Sequence, residues 1–214
     1  ILSFHPNENK RFYKTCFENH DSNVIGMFCL RSNELLSVDI SGGLKRLNLD
    51  TLTSETLDLF GDGKIVVTCV SANEEGNALY FGLESGAIWT SDLNTSDELI
   101  YSHSSTVTAI SSAKSTVFSA GKDLLIKMFN LKSQSLVATI NCTIEVNILQ
   151  PLSNVFGSPL VVADINGCVS IWSPHLLKKS NTSVQFCCNM KNRILSISQL
   201  TLFDRTCIVC TTST

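Results

Sequence analysis

An all-β chain built from repeated four-stranded units is predicted by three observations. Short apolar runs alternate with turns bearing Gly, Asn and Ser along all 214 residues, and no long amphipathic helical period interrupts them. The stretch Ser119-Ala-Gly-Lys-Asp-Leu-Leu-Ile-Lys-Met-Phe-Asn-Leu131 reads as strand, tight turn, strand, with Asp123 in the turn and Ile126 and Met128 alternating after it. Its closing position recurs: Leu47, Ser91, Phe129 and Trp172 occupy matching places, separated by 44, 38 and 43 residues. A period of roughly 40–45 residues with about four strands per copy is the signature of a β-propeller.

Taken in order, residues 1–19 are expected to hold the end of one blade, with strands at 1–4 and 12–17. The first full copy, about 20–60, is predicted to run 24–30, 35–38, 44–49 and 55–59. The second, 61–102, runs 65–70, 78–82, 87–91 and 99–102. The third, 103–141, runs 107–111, 116–119, 126–130 and 136–140. The fourth, 142–188, runs 146–150, 160–163, 169–172 and 183–187. A further copy starts within 189–214, with strands at 194–199 and 207–211. Each strand is an apolar or alternating run, and each boundary carries turn chemistry, as in Asn73-Glu-Glu-Gly76 and Ser153-Asn-Val-Phe-Gly157. The expectation is one all-β domain of four-stranded antiparallel blades over 1–214, about four to five blades present, with no linker. The Ile1 start without an initiator Met, and the stop at Thr214 after a strand-like run, predict a piece of a longer protein.

A hydrophobic content of 43% and a mean hydropathy of +0.18 suit a chain with a sizeable core. The net charge of −3 supplies no bulk attraction to nucleic acid or to an anionic membrane. No apolar run is long enough to span a bilayer as a helix. The nine cysteines are odd in number and lie within apolar strands (Cys29, Cys69, Cys168, Cys207, Cys210), which predicts buried reduced thiols and a cytoplasmic or nuclear protein rather than a disulfide framework.

The pattern His103, Ser119, Asp123 and Phe129-Asn130 resembles the WD-repeat family of β-propellers. That family carries Gly-His before strand a, Ser or Thr in strand b, Asp in the b–c turn and Trp-Asp closing strand c. The first copy matches with His20, Asp39 and Leu47-Asn48, the fourth with Asp164 and Trp172-Ser173 but no His. The second keeps Asp92 only, with Trp89 two residues early. The resemblance implies that His20, Asp39, His103, Ser119, Asp123, Asp164 and Trp172 brace the blades through a structural hydrogen-bond network. It also implies a usual count of seven blades, so that closure would come from sequence beyond this chain.

Three groups of residues invite a chemical reading. His103, Ser119 and Asp123 have the makings of a hydrolase triad, yet no Gly-x-Ser-x-Gly elbow accompanies them. Cys207-Ile-Val-Cys210 has zinc-knuckle spacing, but residues three apart on a strand point to opposite faces. Gly61-Asp-Gly-Lys64 lacks the upstream Gly, the following Ser or Thr, and the helix of a phosphate loop. His5 and His175 have no partner cluster. No catalytic residue, cofactor or metal ligand is therefore expected.

The function expected is that of a non-catalytic scaffold whose loops engage other proteins in a complex, with no membrane and no small-molecule substrate. The expected contact positions are Asp21, Asp62, Lys64, Glu84, Lys122, Asn166, Lys191 and Arg193, a loop set of mixed sign. A propeller associated with damaged DNA or RNA is the first alternative, and it needs a basic channel mouth that this charge balance does not favour. A propeller-based hydrolase is the second.

Overall fold

The computed structural model describes residues 2–6, 12–16, 20–30, 33–57, 59–60, 65–93, 97–152, 159–173, 184–202 and 205–213. They form β-strands in six antiparallel sheets. A first hairpin pairs β1 (Leu2–Pro6) with β2 (Phe12–Cys16). Four four-stranded meanders follow, called here blades one to four. Blade one is β3 (Val24–Leu30), β4 (Glu34–Asp39), β5 (Leu44–Asn48) and β6 (Ser54–Leu57). Blade two is β7 (Val67–Ala72), β8 (Leu79–Leu83), β9 (Ala87–Ser91) and β10 (Asp97–Ser102). Blade three is β11 (Val107–Ala113), β12 (Thr116–Gly121), β13 (Leu125–Asn130) and β14 (Ser135–Asn141). Blade four is β15 (Val146–Pro151), β16 (Leu160–Asp164), β17 (Cys168–Trp172) and β18 (Val184–Asn189). A last hairpin pairs β19 (Ile194–Leu202) with β20 (Arg205–Thr212).

The four blades and the last hairpin are stacked face to face in chain order. The first strand of each adjoins the first strand of the next, β3 to β7 to β11 to β15 to β19. A separate apolar cluster fills each seam. Leu36, Val38 and Leu44 meet Val67, Leu79 and Phe81 between blades one and two. Tyr80 and Ile88 meet Val107, Ile110 and Val117 across the second seam. Phe118, Ile126 and Met128 meet Val146, Leu149, Leu160 and Val162 across the third. Val161, Ala163 and Val169 meet Ile194 and Ile197 across the fourth.

Two-sided burial explains the sequence of the second strands. Leu79-Tyr-Phe-Gly-Leu83 is buried at every residue, because alternate side chains serve different seams. Neighbours such as Val117 and Phe118 therefore enter different clusters. A strand covered on both faces reads as a continuous apolar run rather than as an in–out alternation. The same seam packing leaves Gly82 no room to carry a Cβ, which would lie 2.6 Å from both Cys69 Sγ and Val107 Cγ1.

Register confirms the repeat at single-residue level. Leu47, Ser91, Phe129 and Trp172 pair with Leu35, Leu79, Val117 and Leu160, the same rung in each blade. Two expectations need correction. Strand β7 begins at Val67, not at residue 65, because Ile65 packs under the turn at Gly42 and the Val66 carbonyl accepts the Glu84 N–H at 2.9 Å. The cysteines are less buried than the sequence suggests, with Cys29 and Cys207 exposed and Cys69, Cys168 and Cys210 intermediate. Cys29 shares the outward face of β3 with Met27, which is 60% exposed, while Phe28 and Leu30 turn inward to the seam. Cys207 likewise lies opposite exposed Leu200, and Cys210 faces the fourth seam.

Candidate functional site

Two loops of each blade meet on one rim, the turn between its second and third strands and the segment leading into its first strand. The main chain fixes them together in the same way each time. The N–H groups of Ile40, Glu84, Lys122 and Ile165 donate to the carbonyls of Asn23, Val66, Thr106 and Glu145, at 2.8–3.0 Å. Ser213 donates to Arg193 in the equivalent place at 3.0 Å. Three of the four turns place glycine at their left-handed position, Gly42 at φ 87°, Gly86 at 91° and Gly167 at 81°, while Leu124 holds it at 60°. A residue with a Cβ is strained there.

The polar network of blade three forms one directed chain. Tyr101 on β10 donates its hydroxyl to Ser119 Oγ at 2.9 Å. Ser119 in turn lies 2.7 Å from His103 Nε2, and His103 Nδ1 lies 2.9 Å from both oxygens of Asp123. Because Ser119 receives the Tyr101 proton, its own hydroxyl is directed to Nε2. The ring is then neutral with its proton on Nδ1, donated to the carboxylate. Burial holds the His103 pKa below its ordinary value against the raising pull of Asp123. Burial raises Asp123, but hydrogen bonds from His103, Ser104 and Leu125 outweigh it and leave the carboxyl below its ordinary value. Phe129 has no polar atom, and Tyr101 stacks on it with ring centroids 5.1 Å apart, bringing in the hydroxyl that Ser119 accepts.

This geometry is a brace across a seam. The His103 N–H donates to the Gly86 carbonyl in the turn of blade two at 2.9 Å, and its ring is gripped by blade three. Gly121 allows the ring to approach, since a Cβ there would lie 2.8 Å from Nδ1. The distances also match those of a Ser-His-Asp triad. Ser119 is 0% exposed, and its oxygen is held between the Tyr101 hydroxyl and His103 Nε2.

Blade one contains the same brace in altered form. His20 lies 2.7 Å from Ser37 Oγ and 2.8 Å from Asp39 Oδ2. Ser37 is the partner that the sequence comparison missed. Asp39 sits two residues nearer the serine than Asp123 does, on the rung of Gly121, and Ser41 occupies the rung of Asp123. Asp164 stands on the Asp39 rung, and its Oδ1 accepts the N–H groups of Asn166 and Cys168 at 2.9 Å. Trp172 donates Nε1–H to Ser170 Oγ at 2.6 Å. Asn48 and Asn130 each cap the next turn through Oδ1, which accepts the N–H groups of residues 50 and 51 and of 132 and 133 respectively.

Of the expected contact residues, Asp21, Glu84, Lys122, Asn166, Lys191 and Arg193 are exposed, and Asp62 and Lys64 lie outside the described residues. Glu84 and Lys122 share one turn seat with Ile40 and Ile165, which are 38% and 41% exposed. The two isoleucines were missed because each was read alone, although their alignment with Glu84 and Lys122 was available in the repeat. Lys122 and Arg193 line a cavity of about 370 Å³ with Glu145, Thr68, Thr108 and Asn147.

The last three of these residues also stitch the blades. Thr68 Oγ1 donates to the Val107 carbonyl at 2.7 Å, Thr108 Oγ1 to that of Val146 at 2.5 Å, and Asn147 Nδ2 to that of Ile194 at 3.1 Å. Each follows the first residue of its first strand, in Val67-Thr68, Val107-Thr108 and Val146-Asn147. Among the described residues no group of three or more His, Cys, Asp or Glu is placed to hold a metal ion.

No family model matches this sequence, and no curated protein matches it either. Solved structures do resemble it. The chain superposes on the computationally designed Ika8 protein with a TM-score of 0.64 and 18% identity, covering 85% of this chain and 54% of that one. It superposes on a chain of the mitotic checkpoint complex with a TM-score of 0.68 and 16% identity, covering 89% of this chain and 58% of that one. The fold is a β-propeller. The chain thus spans less than two thirds of the length of either chain it superposes on.

Proposed function

We propose that the chain is part of a diverged WD-repeat propeller that acts as a non-catalytic scaffold, binding other proteins through the braced rim. The observation that carries this reading is the shared turn seat. Blades one to four present Ile40, Glu84, Lys122 and Ile165 from turns whose main chain is fixed identically. Rigid turns displaying apolar and oppositely charged side chains side by side suit a protein surface, which offers the same mixture. A polyphosphate would call for a rim of one sign. The fold likeness to a chain of a multiprotein assembly, the mitotic checkpoint complex, agrees with protein partners. A cytoplasmic or nuclear site belongs to the same proposal, as does the absence of any reaction centre.

The test is affinity capture with the purified chain, followed by quantified binding of the captured partner to Lys122→Glu and Ile165→Asp variants. Removing an anchor from a protein interface costs more than about 1 kcal/mol, so each variant should bind at least about fivefold more weakly at unchanged stability. Undiminished binding by both variants would overturn the assignment of this rim. Retention of DNA or RNA that falls steeply with salt would favour the nucleic-acid reading instead.

A further inference from the structure

Blade four departs from blades one and three at one seat. Cys142 stands four residues ahead of Val146, as His20 and His103 stand ahead of Val24 and Val107. Its N–H donates to the Leu124 carbonyl at 2.7 Å, just as that of His103 donates to Gly86. A thiol is smaller than an imidazole, and a cavity of about 240 Å³ opens there, lined by Cys142, Asp164, Cys168, Trp172 and Cys187 among others. On its wall, Cys168 of β17 and Cys187 of β18 bring their sulfurs to 2.9 Å. Both are free thiols, and roughly 0.9 Å of approach would bring them to bonding distance. Cys187 is exposed, whereas Cys168 is intermediate. The hydrogen bond with Cys187, together with burial, pushes the Cys168 thiol up to about 12, so Cys168 keeps its proton in the resting pair.

We propose that Cys168 and Cys187 form a redox-active dithiol that takes a hydroperoxide as oxidant and closes to a reversible disulfide between β17 and β18. The thiolate of Cys187 attacks one peroxide oxygen, the O–O bond breaks, and hydroxide leaves from a Cys187 sulfenic acid. The Cys168 sulfur then attacks the Cys187 sulfur and displaces the second hydroxide. The two thiol protons leave with the two hydroxides as water. Two thiols and one hydrogen peroxide thus give one disulfide and two waters. The new bond ties the edge strand β18 to its neighbour along the wall of the cavity.

The experiment treats the reduced chain with hydrogen peroxide, removes the excess, and counts thiols in denaturant alongside peptide mapping under non-reducing conditions. The count should fall from the nine cysteines of the chain to seven, with a Cys168–Cys187 cross-link that dithiothreitol reverses. Cys168→Ser and Cys187→Ser should form no cross-link, and Cys142→Ser should retain it. The mapping on the unaltered chain stands whether or not a variant folds. A count that stays at nine, a cross-link joining other cysteines, or irreversible oxidation of Cys187 without a cross-link would overturn the proposal.

Discussion

Tyr101→Phe removes one hydroxyl and leaves the rest of the brace in place. The phenyl ring keeps its stack on Phe129, so the loss isolates the hydrogen bond to Ser119. A hydrogen bond of this kind contributes about 1 kcal/mol net. Ser119→Ala acts differently, because it leaves the Tyr101 hydroxyl and His103 Nε2 without partners in a buried site. Each orphaned group costs about 1–3 kcal/mol, which gives a loss of about 2–6 kcal/mol. In the double variant the tyrosine hydroxyl is no longer there to be orphaned. The combined loss should then fall short of the sum by about 2–4 kcal/mol, because the change that costs about 1 kcal/mol alone relieves an orphaned hydroxyl in the Ser119→Ala background. Urea unfolding followed by the fluorescence of Trp89 and Trp172 measures all three variants, and an unchanged denaturant slope shows that the comparison is sound. If Ser119→Ala costs no more than Tyr101→Phe, or if the two losses simply add, the directed chain from tyrosine to carboxylate is refuted.

Acid should weaken the fold in two stages. His103 takes up a proton less readily folded than unfolded, so its contribution is intact at neutral pH and is lost as pH falls through about 6.5. Asp123 is depressed when folded, so its contribution is lost lower, as pH falls through about 4. His103→Gln should flatten the first stage when urea midpoints are compared across that range. Gly86→Ala should cost at least about 2 kcal/mol, since left-handed strain adds to a Cβ lying 2.5 Å from the His103 carbonyl, and a thermal melt would show it. Thr108→Val keeps the shape but removes the stitch to Val146, and should cost about 1 kcal/mol by the same urea assay.

The blades were legible because their spacing is carried by apolar residues that must enter a seam. Leu47, Phe129 and Trp172 can differ in kind yet hold one rung, since each needs only to be large and apolar. The braces were legible only where the motif kept its spacing. His103, Ser119 and Asp123 stood out, whereas Ser37 was missed because Asp39 reaches its histidine from two residues nearer. Tyr101 was hidden for another reason: it belongs to the preceding blade, and no local pattern ties it to Ser119. The stitching residues Thr68, Thr108 and Asn147 were readable in principle, as the polar residue after the valine that opens blades two to four. Cys29 and Cys207 were misjudged because their strands turn one face to a seam, and these two side chains lie on the other.

The rim is tied by amide groups, which every residue carries, and not by the side chains that a motif describes. Ile40, Glu84, Lys122 and Ile165 have nothing in common chemically, yet their N–H groups make the same bond. Drift at these positions therefore leaves the architecture untouched while erasing the pattern by which sequences are grouped. A chain of this kind keeps its shape long after it has lost its spelling, and its shape is what the two solved structures match at 16–18% identity.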